Sequence, residues 1–109
     1  MRQKLALDPH RTGLLLIDLQ EEQRHDPYYS VAGFDRVLGN AEQLLRAARD
    51  KGIFIAHAAF RRDFDAVPPR PLEPRAQDGG PTFSSKDSPL TAICAEVAPK
   101  KPEPVIYKN

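Results

Sequence analysis

The chain has 109 residues, room for one domain of ordinary size, and its 16 Lys and Arg against 15 Asp and Glu leave a formal net charge of +1. That balance gives no global field for gripping nucleic acid or an anionic membrane, so neither is expected as a partner. A single cysteine excludes an internal disulfide and any multi-cysteine zinc or iron–sulfur site, and no apolar run approaches the length of a membrane-spanning helix.

The N-terminal segment MRQKLALDPHRTG lacks the apolar core of a secretory leader, which leaves the cytoplasm as the expected compartment. Gly13 to Leu19 then reads GLLLIDL, an apolar run with one acid near its end. Continuous rather than alternating apolarity predicts a strand buried on both faces, as in parallel sheets. From Asp35 to Lys51 the period changes: Val37, Leu38, Ala41, Leu44, Leu45 and Ala48 recur at helical spacing and give one apolar face. Asp35 is the expected N-cap and Lys51-Gly52 the stop. Ile53 to Phe60, IFIAHAAF, is apolar throughout, and its Ile and Phe content favours a second buried strand. Strand, helix, strand is the βαβ pattern, with parallel pairing and a right-handed crossover.

Nine of the 11 prolines lie between Pro68 and Pro104, so the second half is not expected to be mostly regular. Arg61 to Asp87, RRDFDAVPPRPLEPRAQDGGPTFSSKD, reads as a long irregular excursion, and such loops in compact domains are often functional. Ser88-Pro89 resembles a helix start, and Leu90, Ile93, Cys94 and Val97 form a one-face stripe that Pro99 and Pro102 stop. Pro104 to Tyr107, PVIY, opens a third short strand.

Among residues that carry chemistry, Asp18 stands first, because open α/β sheets bind ligands beyond the C-terminal ends of their strands. A partly desolvated carboxylate there suits a general base; the blander alternative is a carboxylate that caps the next turn or pairs with an arginine. Lys108 ends the third strand at the same sheet edge, where the two groups can pair. Arg61, Arg62, Asp63 and Asp65 follow the second strand directly, as a solvated charged turn or as an arginine for a substrate carboxylate. Cys94 lies on an apolar stripe with no cation or histidine beside it, the setting of a buried structural thiol. His57, mid-strand, reads as a hydrogen-bonded core histidine.

At LLLIDLQ, IFIAHAAFRRDF and PVIYKN the chain resembles the isochorismatase-like cysteine hydrolases, a group that includes isochorismatases, nicotinamidases and N-carbamoylsarcosine amidases. The likeness runs in order along nearly the whole chain: a strand ending in Asp-X-Gln, an amphipathic helix with Asn40 and Leu44-Leu45, a strand, a loop, then EVAP and EPVIYKN. It implies an α/β fold, the N-terminal half of a doubly wound parallel sheet in the order β-α-β-α-β, with all of residues 1–109 a partial hydrolase domain. It also implies Asp18 and Lys108 as catalytic residues, with Gln20 and Arg62 placed to bind substrate. The family's nucleophilic Cys follows a fourth strand at a helix N-terminus, and it has no counterpart here. Where nicotinamidases carry a metal-binding Asp-X-His, this chain reads Asp63-Phe64-Asp65, so neither a metal nor a cofactor is expected.

The expected partners are a small-molecule substrate, a C-terminal segment or second chain that completes the sheet, and further copies of the chain in a homo-oligomer. Two same-direction crossovers put both helices on one face, leaving Leu, Ile and Phe exposed on the other. The competing reading is a catalytically inactive short α/β protein that dimerises through that face as a binding or regulatory module. A nucleotide-binding half-domain is weaker, because no Gly-rich phosphate loop follows the first strand.

Overall fold

In the computed structural model, which describes residues 5–109, the first apolar run becomes strand β1 (Gly13–Ile17) and then breaks. The first four residues of the N-terminal segment lie outside the described part. The break is Asp18, whose φ of 58° is left-handed, a conformation that costs most residues about 1–2 kcal/mol and that Asp tolerates better than bulkier side chains. Its N–H still donates to Ala58 O at 2.9 Å, so the chain turns away at the last rung of the ladder. A single helical turn, α1 (Glu22–His25), follows.

The amphipathic segment forms α2 (Phe34–Asp50). Its N-cap is Gly33, left-handed at φ 74°, not Asp35, which lies in the first turn where a carboxylate complements the helix dipole. Moving the start upstream brings Phe34 into the core. The C-terminus matches expectation, with Lys51 as C-cap and Gly52 left-handed at φ 66°. Strand β2 (Phe54–Phe60) returns parallel to β1, pairing Gly13 with Phe54 and Ile17 with Ala58. Strand β3 (Val105–Lys108) pairs parallel to β2 from His57–Val105 to Phe60–Lys108. The sheet order is β1-β2-β3, the parallel half-sheet expected.

The second crossover helix does not form. Residues 88–97 instead make two short 3-10 turns, Pro89–Thr91 and Ala95–Val97, separated by extended backbone at Ala92 and Cys94. The cause is a competing partner: Cys94 N donates to Leu19 O and Glu21 N to Ala92 O, both at 2.9 Å, so the segment pairs with the chain leaving β1. Its apolar stripe still points inward. Cys94 and Val97 join Leu16, Phe34, Leu38, Leu45, Ala48 and Ile55 in one core cluster between α2 and the sheet.

The other sheet face carries Leu15, Ile17, Phe54 and Ile106, all more than half exposed. On α2, Val37 and Leu44 also point outward, so the buried stripe is narrower than the sequence pattern. No helix among the described residues is long and apolar enough to cross a membrane.

A polar knot closes the lower end of the core. Arg49, at the end of α2, donates to both carboxylate oxygens of Glu103 at 2.8 Å, and the buried His57 meets Glu103 Oε1 through Nε2 at 2.9 Å. This knot ties α2, β2 and the entry to β3 together, and it makes His57 the core histidine expected. The Arg49 hydrogen bond is the main reason the Glu103 carboxyl is held down to about 2, with His57 assisting against the opposing effect of burial.

Two outcomes follow in denaturation of the native protein. Leu38→Ala removes a buried side chain and should cost about 2–5 kcal/mol, whereas Leu44→Ala should stay within about 0.5 kcal/mol; equal losses would contradict the packing of α2. Because the folded carboxyl of Glu103 lies below its usual value of 4.5, its stabilisation is present above that value and disappears as pH falls towards 2. Thermal melts should therefore show a steeper acid loss in the wild type than in Glu103→Gln across that window.

Candidate active site

At the C-terminal edge of the sheet the chain assembles a charged pair from its two outer strands. Asp18 leaves β1 and Lys108 ends β3, with β2 between them rather than the two strands being neighbours. Strands stand about 4.8 Å apart, so the pair must span two such steps. The lysine stem and the left-handed bend at Asp18 provide that reach: Nζ stands 2.9 Å from Oδ1 and donates to Oδ2 at 3.1 Å. The side chains are 37% and 44% exposed, so the pair contributes little to stability. A carboxylate and an ammonium held together at an open strand edge are instead suited to moving and compensating a proton's charge.

Asp18 lines a cavity of about 580 Å³. Phe60 at the end of β2 forms one wall, and the proline-rich excursion folds back to supply Leu72, Pro74 and Phe83. Tyr29 stacks on Phe83 at 5.0 Å, and Phe60 meets Phe83 edge-on at 5.3 Å. The long loop thus has a structural account: it walls the site.

The two residues expected on substrate are placed differently. Gln20 is fully buried and commits its side chain to main chain: Oε1 accepts from Phe60 N at 2.8 Å, and Nε2 donates to Phe60 O at 2.7 Å and Thr91 O at 2.8 Å. It therefore braces the site and has no donor left for a ligand. Arg62 does line the cavity, yet it is 1% exposed. Its Nη1 pairs with Glu73 and its Nε donates to Asn109 Oδ1 at 3.1 Å, so a free two-pronged grip on a carboxylate is not on offer.

Cys94 has no exposed surface, and burial pushes its thiol up to about 11, with the Glu21 charge adding to the effect. A thiol so disposed is a poor nucleophile, as its setting in the sequence indicates. Asp63, in the turn that follows β2, accepts at Oδ1 from Asp65 N and Ala66 N and at Oδ2 from Lys86. Among the described residues no group of three or more His, Cys, Asp or Glu is placed to hold a metal ion.

One site residue was not read from the sequence. Glu22, in the first turn after the Asp18 bend, lines the cavity at 3% exposure. Burial raises its carboxyl above the usual value against a hydrogen bond from Ser84, and the charges of Asp26 and Asp18 add to the rise. Within the run Glu21-Glu22-Gln23-Arg24 it has the composition of a solvated turn, and only the left-handed break at Asp18 rotates it inward.

The isochorismatase domain matches residues 12–109 of this chain. Three solved structures resemble it. An isochorismatase from Pseudomonas putida KT2440 is 24% identical over 98% of this chain and 46% of its own, with a TM-score of 0.66. An isochorismatase-family protein from Chromobacterium violaceum ATCC 12472 is 26% identical over 99% of this chain and 48% of its own, with a TM-score of 0.67. A third, from Desulfovibrio vulgaris Hildenborough, is 20% identical over 88% and 51%, with a TM-score of 0.69. The chain thus spans about half the length of these structures. No curated protein matches it.

Glu22 yields a signed pH expectation. A buried carboxyl with a raised pKa loses stability as pH climbs from its unfolded value, 4.5, through the folded one. Glu22→Gln should therefore stabilise the protein at neutral pH and lose that advantage towards pH 4. A Gln variant that melts lower than wild type at pH 7 would contradict the assignment.

Proposed function

The chain belongs to the isochorismatase family, and from that premise we propose that it forms part of a cysteine hydrolase acting on a small amide, ester or enol-ether. The observation that carries this reading is the Asp18–Lys108 pair at the edge of an aromatic cavity. In the proposed reaction Asp18 takes the proton of a cysteine thiol, Lys108 favours the anionic forms, and the thiolate attacks the electrophilic carbon of the substrate. The C–N or C–O bond of the substrate then breaks, the amine or alcohol leaves with the proton that Asp18 took, and water cleaves the remaining S–C bond to release the second product and regenerate the cysteine.

The nucleophile in this scheme comes from polypeptide outside these 109 residues, either a later segment of the same chain or a second chain that completes the sheet. Two facts support that placement: the one cysteine present is fully buried, and the chain spans about half the length of the structures it resembles. The exposed face formed by Leu15, Ile17, Phe54 and Ile106 supplies apolar surface for such a segment to cover.

That same face favours the one competing reading, an inactive module that dimerises on it. Intact mass of the natively produced protein under denaturing conditions separates the two. A species heavier than 12.2 kDa, or a second co-purifying peptide with a Cys, supports the hydrolase; a lone 12.2 kDa species supports the module.

In the native protein Asp18→Asn and Lys108→Ala should each reduce hydrolysis of a small amide by about 10²–10⁴-fold, while Cys94→Ser keeps most of it. Asn suits the left-handed backbone at position 18, so the first variant isolates chemistry from folding. Loss of turnover in a well-folded Cys94→Ser protein would overturn the assignment of the nucleophile.

A further inference from the structure

Asp18, Glu22 and Glu73 place three carboxylates on the cavity wall, and they differ in what their oxygens already hold. Both oxygens of Asp18 face Lys108, with Nζ 2.9 Å from Oδ1 and 3.1 Å from Oδ2. Glu73 gives Oε1 to the Arg62 guanidinium and accepts from Arg70 N at Oε2, at 3.0 Å. Glu22 shares a hydrogen bond with the Ser84 side chain, yet its Oε2 has no partner although the residue is 3% exposed. Buried polar atoms are nearly always satisfied, so a bare carboxylate oxygen on a cavity wall is placed to meet what enters the cavity.

The surroundings of Glu22 make that oxygen a proton acceptor. Burial raises its carboxyl above the ordinary value against the Ser84 hydrogen bond, and the charges of Asp26 and Asp18 add to the rise. The cations on the wall do not neutralise it: Arg62 is paired with Glu73, and Arg70 is exposed at the rim. A carboxylate with a strengthened hold on protons and a free oxygen is equipped for proton transfer. The reaction proposed above has two such demands, one from the thiol and one from the water that cleaves the S–C bond. Asp18, with both oxygens against Lys108, is arranged for the first; the bare oxygen of Glu22 is open to the second.

We propose that Glu22 is the general base for the water step of this hydrolase, with Asp18 reserved for the thiol. Oε2 takes one proton from water as the water oxygen bonds to the acyl carbon. The carbon–sulfur bond then breaks with its electron pair on sulfur, and the proton passes from Glu22 to that sulfur. This proposal rests on the hydrolase reading and deepens it, because it divides the two half-reactions between two carboxylates.

Stopped-flow kinetics of the native protein with p-nitrophenyl acetate tests it. An activated ester loads the cysteine quickly, so the water step limits turnover. Glu22→Gln should keep the burst of nitrophenolate, then turn over at least about tenfold more slowly than wild type, with KM lowered in step and kcat/KM kept within about twofold. Intact mass should show the acetylated protein accumulating, and hydroxylamine, a nucleophile that needs no base, should restore turnover. A merely structural role for Glu22 would lower kcat/KM and leave hydroxylamine without effect. Glu22→Asp keeps a shortened carboxylate, should fall between the two proteins, and decides the matter where the Gln variant fails to fold. A parallel fall of kcat and kcat/KM, no acetylated protein, or no response to hydroxylamine overturns the proposal while the hydrolase stands. Failure of the hydrolase reading looks different: the wild type itself then shows neither a burst nor turnover, and both claims fall.

Discussion

Gln20 is the contact on which the rest of the site depends, because it lets a strand end without leaving its neighbour unpaired. Where β1 turns away at Asp18, the N–H and C=O of Phe60 would face empty space. The Gln20 amide accepts from one and donates to the other, at 2.8 and 2.7 Å, and so imitates the missing strand residue. Its second N–H reaches Thr91 O and draws in the segment that follows the proline-rich loop. One side chain therefore fixes the exit of β1, the end of β2 and the return of the chain. The left-handed turn at Asp18 sits inside that brace, two residues before Gln20, which allows a strained carboxylate to be held in place over the site.

What was legible in the sequence follows from which forces are local. The three strands and the long helix were readable because continuous apolar runs and helical spacing report burial directly, and their observed bounds fall within a residue or two of the pattern. The stripe Leu90, Ile93, Cys94 and Val97 was misleading for an instructive reason. Cys94 and Val97 are buried as the stripe implied and Ile93 packs partly buried against them, but the backbone hydrogen bonds that a helix would have made within itself go to Leu19 and Glu21 instead. Periodicity identifies which side chains seek the core; it is silent on whether a distant strand end will compete for the main chain.

The site divides along the same line. Asp18 and Lys108 were legible because their position at strand ends follows from the sheet topology alone. Gln20 and Arg62 are expected on substrate from the sequence, yet their hydrogen bonds go to Phe60, Thr91 and Glu73, partners far away in sequence or lodged in an irregular loop. Glu22 was invisible for a sharper reason: four charged or amide residues in succession have the composition of a solvated turn, and only three-dimensional context buries one of them.

The all-parallel register has a kinetic meaning as well. Gly13 cannot meet Phe54 until the whole of α2 has been threaded between them, and β3 pairs with β2 only after the proline-rich segment has been closed into a loop. Among the described strands no hairpin is available to nucleate the sheet, so each pairing must first bear the entropy of a long loop. Helix α2 can form on its own within about a microsecond. The sheet has to wait until that helix docks its Leu38 and Leu45 side and holds the two strand segments near each other. Assembly of this half-sheet is therefore limited by the docking of one helix, and changes on the buried side of α2 should slow folding as well as weaken the folded state.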